Sequence, residues 1–341
     1  MEKKMEIQEQ DVILDIRNLK KYFYMPKGVV VHAVEGVDLQ LKRGETLGLV
    51  GESGSGKSTI AYDVIGMYKP TSGEMIFDGE VLNPDIRKRP LKQKGDMQIV
   101  FQDPGSSMNP RATIETNLAF PIKRHGGLKD KKAIHERVLE LLRFVGLPEE
   151  YAQKYPRSIG GGERQLACIA RALASNPKLV ILDEPTSALD VSIQAKVIRR
   201  LIDLQKELNL SYLFITHDLS LMRNLATKVA ILYLGRLCEV AETAEFYSNP
   251  KHPYTQMLLA SIPVVTEEEE RLRPVKVESR GEIPNPANMP TGCGFHTRCS
   301  QCMEICKTEY PQMKEVSPGH YVCCHAVEGK PVNPVSAPSS H

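Results

Sequence analysis

The chain has 341 residues with 44 basic against 42 acidic side chains, a formal charge of +2, so it is no polyelectrolyte tail and has no charge bias toward nucleic acid. A quarter of the residues are charged and 41% are hydrophobic, which fits a globular protein with ample core, one large domain plus a smaller one. No run reaches the roughly 18–20 consecutive apolar residues that a spanning helix needs. The charged start, Met1 to Glu6, has no apolar stretch behind it, so the sequence reads as cytosolic with reduced thiols.

In chain order, Val12 to Leu19 and Val29 to Leu41 read as β-branched strands, and Thr46 to Val50 as a buried strand ending in glycine. Directly after it, Gly51-Glu-Ser-Gly-Ser-Gly-Lys-Ser-Thr59 fits G-x-x-x-x-G-K-[ST] in the required place between strand and helix. Glycines let backbone N–H groups turn inward around phosphates, Lys57 neutralises β/γ oxygens, and the Ser58 hydroxyl is a Mg²⁺ ligand. Gly51, Ser53, Gly54, Ser55, Gly56, Lys57, Ser58 and Thr59 are therefore the candidate nucleotide-binding set.

Farther on, Ile134, Val138, Leu141, Leu142 and Val145 recur at helical spacing and stop at Gly146. Leu179 to Leu182 and Tyr212 to Thr216 read as buried strands flanking a helix with Val191, Ala195, Ile198, Leu201 and Ile202 on one face, a parallel βαβ unit. The first of these strands delivers Asp183 and Glu184 at its carboxyl end, the edge where open α/β sheets bind ligands. Asp183 suits Mg²⁺ and Glu184 suits orientation and deprotonation of an attacking water, with His217 after the next strand as a third contributor. Beyond Pro250 the composition shifts to Pro, Glu and Cys, and Pro331 to His341 reads as a disordered tail.

The P-loop, Gln102 in Val100-Phe-Gln-Asp-Pro104, the Gly161-Gly162 helix start, Leu182 to Asp190 and Thr216-His217-Asp218 together resemble the ATPase subunits of ATP-binding cassette (ABC) transporters. The resemblance implies an α/β P-loop NTPase core, RecA-like and of ABC type, with an antiparallel β subdomain, an inserted α-helical subdomain and a small Cys-rich C-terminal extension. The corresponding boundaries are 1–250 for the ATPase domain, about 103–165 for its helical part, 251–330 for the extension and 331–341 for the tail. It also implies that Gln102 ligates Mg²⁺ and faces the membrane subunit, that Asp190 contacts the partner ATPase, and that Phe23 stacks on adenine, with Tyr22 and Tyr24 as neighbours able to do the same. The usual Leu-Ser-Gly-Gly-Gln signature is Ile159-Gly160-Gly161-Gly162-Glu163 here. Gly160 removes a hydroxyl that caps the opposite subunit's γ-phosphate, and Glu163 adds a charge, so the partner's site is expected to be degenerate.

Phe101 to Arg111, Asn249 to Thr255 and Gly292-Cys-Gly-Phe-His-Thr-Arg-Cys299 are similar to the oligopeptide/dipeptide importer ATPases, in particular the OppF/DppF type, across nearly the whole chain. That implies a second, non-identical ATPase of the OppD/DppD type, two transmembrane permeases, an extracytoplasmic solute-binding protein, and a place on the cytoplasmic face of the membrane. Nickel or oligosaccharide cargo is the alternative, as is a soluble ABC ATPase unconnected to transport or a subunit that holds ATP without turning it over. Six of the eight cysteines fall between Cys293 and Cys324, a density that argues for metal over disulfides in a reducing compartment. Zinc with His296, His320 or His325 is one reading; by resemblance Cys293, Cys299, Cys306 and Cys324 hold a [4Fe–4S] cluster that clamps a coreless tail. Cys168 and Cys238 stand apart and read as small core residues.

Overall fold

The alternation of β-branched runs with amphipathic stretches is realised in a computed structural model that describes residues 11–262 and 281–332. The charged start, Glu267 to Glu270 and nearly all of the Pro/Ser-rich tail lie outside the described residues. In chain order the elements are β1 (Val12–Tyr24), β2 (Val30–Lys42), β3 (Thr46–Val50), α1 (Lys57–Ile65), β4 (Ser72–Phe77), β5 (Glu80–Val81) and β6 (Met97–Val100). There follow α2 (Ile114–His125), α3 (Lys131–Phe144), α4 (Gly161–Leu173), β7 (Leu179–Asp183), α5 (Val191–Leu208), β8 (Ser211–Thr216) and α6 (Leu219–Leu225). The last are β9 (Lys228–Tyr233), β10 (Arg236–Glu242), α7 (Pro253–Ala260), β11 (Met313–Ser317), β12 (His320–Cys323) and β13 (Lys330–Pro331). Among the described residues no helix is long and apolar enough to cross a membrane.

The chain forms two compact units. The first, drawn from the described residues within Met1–Lys42, Thr46–Pro84 and His217–His341, carries an antiparallel sheet ordered β2-β1-β4-β5 and the strand run β13-β11-β12-β10-β9-β3. Only β3 and β9 in that run are parallel. All five residues of β3 are buried, and a Cβ on Gly48 would lie 2.6 Å from Met222 Sδ, so the missing side chain lets α6 pack onto the strand.

The second unit, Arg43–Glu45 with Asp85–Thr216, carries the parallel strands β8-β7-β6 and the helices α2 to α5. Asp130 caps α3 by accepting from Ala133 N at 2.8 Å, and Gly146 at φ 75 leads the chain out of it. Its Ile134, Val138, Leu141 and Leu142 are buried, each worth about 1.5–3 kcal/mol against exposure. Ile198 and Leu201 of the expected α5 face are buried, together with Val197 and Leu204, whereas Val191 is 82% exposed. Val191 is the first residue after the Asp190 cap, where the helix has not yet reached the core.

Asp63 on α1 is fully buried, and neither carboxylate oxygen has a hydrogen-bond partner among the described residues. Burial pushes its pKa from 3.8 up to about 7. The folded chain thus holds a proton that the unfolded chain has lost, so this contribution is full below pH 3.8 and fades as pH rises toward 7. Asp63→Asn is expected to gain on wild type across that window, reaching on the order of 4 kcal/mol at pH 8. Urea unfolding at pH 5 and pH 8 checks this; a stability gap independent of pH contradicts it.

Candidate nucleotide site

In the first unit, β3 ends at Val50 and the chain turns through Gly51, Gly54 (φ 79) and Gly56 (φ 103) into α1. Both backbone angles suit glycine, and a Cβ at Gly56 would lie 2.3 Å from Ala33 O. At Gly51 it would lie 2.2 Å from Leu232 O. Lys57 Nζ donates to Gly51 O at 2.8 Å, Glu52 O at 2.9 Å and Ser55 Oγ at 3.4 Å, which folds the loop around the ammonium. Ser53 and Gly54 are exposed at the tip, while Ser58 and Thr59 are half-buried on the first turn of the helix. A glycine turn that runs into a helix N-terminus is the kind of backbone that can receive an anion.

Phe23 is half-buried with Tyr68 edge-on at 5.3 Å and Lys21 Nζ 4.8 Å from its ring centre. Tyr22 donates to Glu35 at 2.6 Å, and burial with that carboxylate pushes its pKa up to about 12. Tyr24 is 73% exposed. His217 is exposed in the same unit.

In the second unit, Asp183 is 1% exposed at the end of β7, and Glu184 follows at φ 44 with its N–H donating to Ile215 O. Gln102 Nε2 donates to Glu184 Oε2 at 2.9 Å, so two residues far apart in sequence meet. Asp190 caps α5, accepting from Ile193 N at 3.0 Å and Ser192 Oγ at 2.7 Å; those bonds hold its carboxyl below the usual range. Gly160 caps α4, and Glu163 reaches back to accept from Gly160 N at 2.9 Å while Tyr151 OH donates to it at 2.7 Å. The Tyr151 and Gly160 bonds hold Glu163 below its ordinary pKa. A Cβ on Gly162 would meet Ile193 Cγ2 at 2.2 Å, so glycine here is what lets α4 approach α5. A groove of about 880 Å³ beside Gln98 and Phe101 is lined by Ala119, Phe120 and Pro121, with Phe120 72% exposed.

The cysteine segment corrects the metal reading. Among the described residues no three histidine, cysteine or acidic side chains converge on a point where a metal ion could sit, so the expected [4Fe–4S] cluster on Cys293, Cys299, Cys306 and Cys324 is not borne out, and no zinc site is found among these residues. The tail is not coreless. Instead, β12 pairs with β10, and Phe295, Cys306, Tyr321, Val322, Cys323 and Cys324 are buried. His320, fully buried, bonds Glu239 at 2.7 Å, and Cys323 Sγ donates to Pro311 O at 3.0 Å. Burial pushes the thiols of Cys293 and Cys299 up to about 12 and about 11 and raises that of Cys324. Cys168 and Cys238 are buried, at 1% and 6% exposure.

The fold and the phosphate loop define a P-loop ATPase of the ABC class. Residues 34–187 match the ABC transporter family, and 238–306 match the C-terminal region of oligopeptide/dipeptide transporters. The chain is 46% identical over 328 residues to the oligopeptide transport ATP-binding protein AppF of Bacillus subtilis, covering 94% of this chain and 99% of that one. It is 40% identical over 329 residues to the dipeptide transport ATP-binding protein DppF of Haemophilus influenzae, covering 95% and 99%. The dimeric ATP-binding cassette MJ0796 bound to ADP and Pi matches 68% of this chain and 99% of its own at a TM-score of 0.61 and 29% identity. The chain belongs to the ATP-binding subunits of the oligopeptide/dipeptide ABC importers and hydrolyses ATP.

Proposed function

We propose that this chain powers peptide uptake, working with two permease subunits, a second, non-identical ATPase and, indirectly, an extracytoplasmic solute-binding protein, on the cytoplasmic face of the membrane. One observation carries the reading: the likeness to peptide-transport ATP-binding proteins runs through the C-terminal region as well as the cassette. Gly51 and Ser53 to Thr59 cradle the phosphates of ATP, with Phe23, or its neighbour Tyr22 or Tyr24, on the adenine. Ser58, Gln102 and Asp183 offer a hydroxyl, an amide oxygen and a carboxylate, the hard oxygen donors that Mg²⁺ takes when it neutralises the β/γ oxygens. Glu184 orients the attacking water and takes its proton, and His217 acts on the γ-phosphate side.

At the partner's site this chain contributes the α4 N-terminus, with Gly160, Gly161, Gly162 and Glu163, and the loop that Asp190 shapes by capping α5. The apolar groove around Phe120 suits a permease segment, and its position beside Phe101 supports the reading of Gln102 as the residue facing that segment. Detergent extraction of tagged full chain from membranes tests the assembly. Two permeases and a second ATPase of different sequence are expected in stoichiometric amounts; recovery of the chain alone from the soluble fraction contradicts it.

A further inference from the structure

The motif Gly292 to Cys299 contains an arginine that the ATP site as described does not use. Arg298 is 5% exposed and makes a bidentate pair with Glu52, the second residue of the P-loop, at 2.7 Å and 3.1 Å. Its guanidinium lies 5.8 Å from the ring centres of both Tyr233 and Phe295, and Nη1 also reaches Tyr233 OH at 3.4 Å. Tyr233, Tyr254 and Phe295 pack on one another with centroids 4.6 to 5.4 Å apart. The same cluster touches the loop a second time, because Glu52 N donates to Tyr254 OH at 3.0 Å. Ile283, Pro284, Asn285 and Pro286 line a cavity of about 260 Å³ with residues 52 to 55 of the loop.

Glu52 is held from three sides. Its carboxylate is on Arg298, its N–H is on Tyr254, and its carbonyl oxygen accepts from both Lys57 Nζ and Ser55 N. A planar fork matched to a carboxylate in a partly desolvated setting fixes orientation far better than an exposed lysine could. The loop amides that receive phosphate lie immediately beyond this anchored residue, at 53 to 58.

We propose that Arg298 is a positioning residue of the nucleotide site, through which the C-terminal segment holds Glu52 and thereby keeps the P-loop in its ATP-receiving conformation. The proposal rests on the reading of Gly51 to Thr59 as the phosphate cradle. If loss of the clamp leaves about one loop in ten in the receiving conformation, ATP affinity falls about tenfold. Turnover at saturating ATP changes little, since bound nucleotide reorders the loop.

ATP affinity of the purified full chain, read by displacement of a fluorescent ATP analogue in Mg²⁺ and paired with thermal melts, tests this. Arg298→Gln and Glu52→Gln are each expected to weaken ATP about tenfold, the double variant no more than the weaker single, and Arg298→Lys is expected to recover part of the loss. Lys57→Ala, which strips the cradle of its cation, is the control and loses ATP more severely. Wild-type affinity in a folded Arg298→Gln chain, with Lys57→Ala impaired, overturns the clamp while leaving the cradle in place. Should Arg298→Gln fail to fold, wild-type affinity in Glu52→Gln overturns it equally. Wild-type affinity in Lys57→Ala removes the cradle reading and the clamp together.

Discussion

Glu184→Gln is expected to leave Mg–ATP binding intact and to lower multiple-turnover hydrolysis at this chain's site by about 10²–10⁴-fold. The substitution keeps the size of the side chain and an oxygen able to accept from Gln102 Nε2, now at 2.9 Å, so the local structure has no reason to move. What it removes is basicity: an amide cannot take the proton of an attacking water. The P-loop lies in the other unit and keeps its glycine turns and the Lys57 bonds to Gly51 and Glu52. Phosphate release from the assembled complex, with nucleotide binding measured on the same sample, checks both halves. Hydrolysis near the wild-type rate contradicts the assignment of Glu184 as base.

Restoring the signature by Gly160→Ser with Glu163→Gln, in a complex already carrying Glu184→Gln, is expected to raise hydrolysis at the partner's site about ten- to a hundredfold. The hydroxyl adds a bond to a charged phosphate, worth about 1.5–3 kcal/mol. There is room for it, since a Cβ on Gly160 meets nothing closer than Glu163 Oε2 at 3.4 Å. Both changes belong together. Glu163 is locked in the first turn of α4 by Gly160 N and Tyr151 OH, which fixes its negative charge at the helix end that should hold a phosphate. Glutamine can keep both contacts, accepting from Gly160 N and donating to Tyr151 O, while giving up the charge. No gain over the same silenced complex with the native signature would mean that this segment does not limit the partner's site.

The cassette was legible because its chemistry is written in contiguous runs. A buried strand followed by Gly51 to Thr59 places a phosphate loop, and four apolar residues before Asp183 and Glu184 place two carboxylates at a strand end. Long-range meetings were not legible. Nothing local to Arg298 or Glu52 states that side chains 246 residues apart form a bidentate pair. An arginine inside a Cys-rich motif is a weak local signal, and the cysteines around it point to metal instead. A thiol count says nothing of the hydrophobic residues around it: Phe295, Tyr321 and Val322 supply the core, and buried thiols there behave as small apolar groups. On α5 the stripe through Ile198 and Leu201 is legible, but periodicity does not say where along the helix the core begins, and Val191 stays outside it.

The central claim is that ATP hydrolysis by this chain drives peptide across a membrane. The direct measurement is uptake of a labelled peptide by liposomes containing the complete complex and its binding protein, with ATP supplied on the side of this chain. Uptake is expected to require ATP, to rise with peptide-loaded binding protein together with phosphate release, and to collapse when this chain carries Glu184→Gln. Hydrolysis indifferent to peptide, or peptide uptake undiminished by Glu184→Gln, would contradict the account.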